Sequence, residues 1–82
     1  MIFLIEYNRP KGRIVTFREF EDSRRLEAQD ARLEIELDLY RKGIDHEVVL
    51  LEAASVEALH RTHGRYFFDL EELLRSAYER LK

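Results

Sequence analysis

The residues best suited to chemistry in this sequence are three histidines, two of which lie close together. His60 and His63 stand three positions apart on a predicted short helix, so their imidazoles could share one metal ion, with His46 as a third ligand. Nothing in the sequence brings His46 to that pair, and such spacing also occurs on helices that bind nothing. His60 and His63 are therefore candidates only, and we predict neither a metal nor a cofactor.

Basic side chains surround a predicted hairpin tip and give a second candidate site. Arg9, Lys11 and Arg13 flank the turn around Pro10 and Gly12, where they could contact phosphates or simply keep an exposed turn soluble. Residues 26–57, however, carry nine acidic and three basic side chains, which argues against a general nucleic-acid-binding surface. A nucleic-acid-binding regulator is therefore the alternative function, not the main one.

Carboxylates follow one flank of the predicted long helix, namely Glu27, Asp30, Glu34 and Asp38. Paired carboxylates can bind a hard cation or transfer protons, but catalysis needs a pocket that shifts their pKa. We interpret the flank as solvated or as a docking edge for a basic partner. The sequence also lacks cysteine, a glycine-rich phosphate loop and a nucleophile-elbow motif, so we predict no enzyme and no small-molecule substrate.

The elements that must position these residues follow the order β-β-α-β-α-α. Apolar runs predict strands at residues 2–7, 13–20 and 44–52; capping signals predict helices from Asp22-Ser23 to Gly43, from Ser55 to Gly64 and from 70 to 82. Residues 65–68 are expected to be extended. The strongest single signal is the start of the last helix, where Asp69 can cap it and Phe68 can pack on Leu73.

Residues 33–39 alternate strictly between apolar and acidic side chains, which is a strand pattern, so either a helix or a strand is possible there. Glutamate, aspartate and leucine are poor strand residues, so we favour a helix. The first strand is apolar on both faces, which predicts a central position antiparallel to both neighbours. The prediction is a single α+β domain over residues 1–82, with a three-stranded antiparallel or mixed sheet covered by the long helix and the C-terminal helices.

The long helix carries apolar side chains on two opposite sides. The leucine face comprises Leu26, Leu33, Leu37 and Tyr40, and the alanine face comprises Ala28, Ala31, Ile35 and Leu39. One face would cover the sheet, and we assign the alanine face, with Tyr66 as an exposed aromatic anchor, to an interface. The hypothesis is a small cytoplasmic interaction or accessory protein that acts as a homodimer, with no membrane association.

Overall fold

The fold is of the α+β class, as the sequence predicts. The structure is a computed structural model, and it describes residues 1–67. Its strands are β1 (Ile2–Asn8), β2 (Arg13–Phe20) and β3 (Glu47–Glu52); its α-helices are α1 (Arg25–Lys42) and α2 (Val56–Thr62); and single 3-10 turns span Asp22–Arg24 and Gly64–Tyr66. The predicted last helix, with Asp69 and Phe68 at its start, lies outside the described residues.

The three strands form one antiparallel sheet in the order β2-β1-β3, which confirms the central position of the first strand. Ile5 lies opposite Phe17 on one side and Val49 on the other. Residues 2–7 are all buried, because each face of the strand is covered. The pairing with β2 shifts by one residue between Glu6 and Tyr7, a bulge that turns the end of the hairpin.

Each face of the sheet has its own apolar core. Helix α1 covers the face formed by Ile2, Leu4, Phe20 and Val48. Helix α2 and the turn after it cover the opposite face. The buried side chains of this second core are Phe3, Ile5 and Tyr7 from β1, together with Leu59, Tyr66 and Phe67. A central strand between two cores explains why both its faces are apolar.

Residues 33–40 are helical, which settles the choice between helix and strand. The helix ends at Gly43, whose φ of +66° is a left-handed conformation that glycine adopts without a Cβ penalty. The N–H of Gly43 donates to the Tyr40 carbonyl at 3.2 Å, and the N–H of Ile44 donates to the Leu39 carbonyl at 3.0 Å. At the other end the structure differs from the predicted cap, because a 3-10 turn leads into α1 without a side-chain capping bond from Asp22 or Ser23.

The short helix α2 begins as predicted, since the Ser55 hydroxyl accepts a hydrogen bond from the N–H of Ala58 at 3.1 Å. The prediction of an extended segment at residues 65–68 is wrong for Arg65 and Tyr66, which lie in the 3-10 turn Gly64–Tyr66. A bond from the Phe67 N–H to the Gly64 carbonyl at 2.9 Å closes this turn. The physical reason is packing. Tyr66 and Phe67 both enter the core under the sheet, whereas consecutive residues of a strand would point to opposite sides.

Among the described residues, no helix combines the length and the apolar character that crossing a membrane requires.

Candidate functional site

The two faces of α1 lie opposite to the way the sequence interpretation placed them. Ala28, Ala31 and Leu39 are buried in the core against the sheet, and Ile35 packs beside them, so the alanine face is not available as an interface. The small alanine side chains let the helix lie close over the sheet. The side chains of the leucine face are larger and more hydrophobic than those of the alanine face, so hydrophobicity alone predicts that the leucine face is buried. This is why the sequence interpretation assigned the interface to the wrong face.

The leucine face is turned to solvent and forms the largest exposed apolar feature among the described residues. Leu26, Leu33, Leu37 and Tyr40 are 75%, 53%, 44% and 86% exposed, respectively, and Ile44 just beyond the helix is 42% exposed. Spacings of seven, four and three residues keep the four helical side chains on one stripe. Scattered exposed leucines are ordinary, whereas a continuous stripe along a helix is typical of an association surface.

Ion pairs along α1 leave two charges beside this stripe, Asp30 and Arg41, without a partner among residues 1–67. Arg24 pairs with Glu27 at 2.7 Å, Arg32 with Glu36 at 2.8 Å and Lys42 with Asp38 at 2.9 Å.

Asp30 and Arg41 lie on one flank of the leucine face, and neither forms an ion pair or a side-chain hydrogen bond with any of residues 1–67. The predicted carboxylate flank is thus partly neutralised by neighbours and partly open.

A second feature is a buried polar cluster that sequence reasoning missed. Glu6, the one charged residue within the central apolar run, is only 8% exposed. Its carboxylate accepts a hydrogen bond from the Thr16 hydroxyl at 2.9 Å, and its other oxygen lies 2.6 Å from Nδ1 of His46. An ionised carboxylate can only accept hydrogen bonds, so with Glu6 ionised Nδ1 of His46 is the donor in this contact. We call Glu6, Thr16 and His46 the Glu6 cluster.

The Glu6 cluster borders a groove of about 520 Å³ between the C-terminal half of α1 and the sheet. Most of its wall area is apolar, and charged side chains of α1 stand along it. Its lining comprises Val15, Ile35, Leu39 and Ile44 together with Glu6, Glu34, Asp38, Lys42 and His46. The only sequence signal for this site was a single glutamate interrupting an otherwise apolar strand.

Tyr66, predicted as an exposed anchor, is instead 5% exposed and belongs to the core. Its ring meets Tyr7 edge-on with centroids 5.3 Å apart, and its hydroxyl donates to Glu47 at 3.0 Å. Arg65 donates to the same Glu47 oxygen at 2.7 Å and lies over the Tyr66 ring. Tyr66 therefore cannot anchor a partner, because a carboxylate–guanidinium pair fixes it against the sheet.

The same contacts shift the pKa of Glu47 and the pKa of Tyr66. The hydrogen bond from Arg65 holds the pKa of Glu47 below its ordinary value of 4.5, although burial acts in the opposite direction. Burial, followed by the bond to Glu47, raises the pKa of Tyr66. Both shifts favour the observed pairing of an ionised carboxylate with a neutral phenol.

The histidine candidates do not form a metal site among residues 1–67, since no three metal-binding side chains converge there. The His60 ring stacks on Phe67 with centroids 3.8 Å apart, and His63 ends α2. His46 is engaged with Glu6 instead. The structure thus gives all three imidazoles separate surroundings.

At the hairpin tip, Arg9 lies 3.4 Å from Glu47, which also binds Arg65. Lys11 and Arg13 are exposed beside it. Gly12, with a φ of +61°, closes the turn through a bond from its N–H to the Arg9 carbonyl. One of the three basic side chains is thus tied to the sheet, and nucleic-acid binding by this tip stays a prediction.

No protein-family model, curated protein or solved structure matches this chain at a significant level.

Proposed function

We propose that this protein is a small interaction protein that associates as a two-fold homodimer through the leucine face of α1. The exposed stripe of Leu26, Leu33, Leu37 and Tyr40 is the observation that carries this proposal. The absence of cysteine suits a reducing compartment, and we place the dimer in the cytoplasm.

A second copy fits this surface because the stripe is complementary to itself when two α1 helices run antiparallel. With Leu33 opposite Leu37 of the second copy, the two-fold axis also sets Leu26 opposite Ile44. In this register residues 28–42 of the two 18-residue helices overlap, which gives a seam of roughly 22 Å. The leucines of the stripe each face an apolar side chain in this register, and Tyr40 faces Asp30.

Charge complementarity favours the same arrangement. In that register Asp30 lies opposite Tyr40 of the second copy and beside its Arg41, on the flank that two antiparallel helices share. Asp30 and Arg41 are two of the three charges of α1 that have no partner among residues 1–67; the third is Glu34. Dimerisation would form the Asp30–Arg41 pair twice, once on each side of the two-fold axis.

The expected affinity is modest. One pair of helices buries less than the roughly 800 Å² per partner of a standard interface, so a dissociation constant in the micromolar range is expected. This range suits a protein whose assembly responds to its own concentration.

Two double variants on the same helix test the proposal. Leu33→Glu with Leu37→Glu places charges in the seam and should give a folded monomer by light scattering and circular dichroism. Ile35→Glu with Leu39→Glu is the matched control, and it should unfold the protein because these side chains face the core. A leucine-face variant that keeps the wild-type mass would refute the dimer.

Charge exchange tests the register of the seam. Asp30→Arg alone should weaken the dimer, because it sets two arginines against each other across the axis, and adding Arg41→Asp should restore it. Restoration by the second change is expected only if these side chains meet between copies. Equal weakening in the single and double variants would contradict this register.

A further inference from the structure

Glu6 occupies a position where an apolar residue would be expected. It lies on the central strand, on the face where Ile2 and Leu4 meet α1, and it is 8% exposed. Burying a carboxylate costs free energy even when it is well paired, and an apolar side chain of similar size would avoid that cost. The bonds from Thr16 and His46 offset the cost but leave unexplained why the charge is there.

The groove beside the Glu6 cluster gives that charge a use. Its walls include Val15, Ile35, Leu39 and Ile44, so it can take an aliphatic chain, and a volume of about 520 Å³ is within the size range of small-molecule sites. A polar cluster inside an apolar groove is the usual combination for fixing the orientation of a ligand.

The charges that line the groove decide which ligand it suits. Lys42 and Asp38 neutralise each other at 2.9 Å, and His46 is engaged with Glu6. Glu34 also lines the groove and forms no ion pair with any described residue. Negative charge therefore predominates, which favours a cation and disfavours a carboxylate or a phosphate.

We propose that this groove binds a small aliphatic amine. Its ammonium group is held by the carboxylates of Glu34 and Glu6, and its hydrocarbon part packs on Val15, Ile35 and Leu39. Glu6 can accept this bond in addition to those from Thr16 and His46, because an ionised carboxylate has about four lone-pair sites. The groove adjoins the proposed dimer seam at Ile44, whereas Leu33 and Leu37 at the centre of the seam do not line it.

Titration with three six-carbon probes tests the proposal. Hexylamine, hexanol and hexanoate share the same chain and differ in the head group, and binding is followed by amide and histidine chemical shifts of the full-length protein. Hexylamine should give saturable shifts at Glu6, Thr16 and His46, whereas the other two should not. Equal binding of hexanol, or no saturation with hexylamine, would overturn the proposal.

Two variants on the same helix assign the charge. Glu34→Gln should weaken hexylamine binding about fivefold, as expected for a partly exposed ion pair. Glu27→Gln is the matched control, because Glu27 pairs with Arg24 and does not line the groove, and it should leave the affinity unchanged. An unchanged affinity in Glu34→Gln would also overturn the proposal, while the test of the dimer would be unaffected.

Discussion

At the scale of single residues, a buried glutamate, Glu6, and a half-buried one, Glu47, organise the polar contacts of the sheet. Glu6 joins β1 to β2 and to the segment before β3 through Thr16 and His46. Glu47 lies on the other face and fixes the turn after α2 through Arg65 and Tyr66. Neither role could be predicted from the sequence, because both depend on partners that are 10 to 40 positions away along the chain.

Glu47 should make stability depend on pH. Its pKa is lower in the folded protein than its ordinary 4.5, so the unfolded chain binds more protons below that value. The stability that Glu47 contributes is therefore present above about pH 4.5 and is lost as the pH falls through its folded pKa. Glu47→Gln should cost about 1–3 kcal/mol at neutral pH and flatten this acid limb in urea unfolding.

The control for that measurement is Glu27→Gln, whose exposed pair with Arg24 should contribute less than about 1 kcal/mol. Equal stability and equal acid dependence in the two variants would contradict the expected contribution of the Glu47 contacts to folding.

At the scale of elements, local signals were sufficient to predict most of the fold. Gly43 and Ser55 mark helix ends by their own chemistry, and the apolar run of residues 2–7 marks a central strand. The faces of α1 were predicted the wrong way round, because hydrophobicity alone does not show that small alanines permit closer packing on a sheet. The turn of Gly64–Tyr66 was missed for a similar reason, since only the core requires it.

The end of α1 offers a clean test of backbone conformation. Gly43→Ala should destabilise the protein by about 1 kcal/mol, because φ is +66° there. An added Cβ would meet no atom within 4 Å, so this cost comes from the backbone conformation and not from a clash. Gly64→Ala is the matched control, since its surroundings are equally open and its φ is not positive. Urea unfolding of the two variants should differ in midpoint, and equal midpoints would contradict the assigned conformation at Gly43.

At the scale of the whole molecule, the described chain covers both faces of its sheet and leaves one helix face uncovered. The covered faces are explained by α1 on one side and by α2 with its following turn on the other. The uncovered leucine face, flanked by Asp30 and Arg41, is the basis of the proposed dimer. The sequence predicted that one apolar surface would be left over, and the structure was needed to show which one.

The molar mass of the wild-type protein across a concentration series tests this account most directly. Light scattering should show a mass that rises toward twice the 9.9 kDa of one chain as the concentration passes through the micromolar range. A mass of one chain at every concentration up to about a millimolar would contradict self-association through α1.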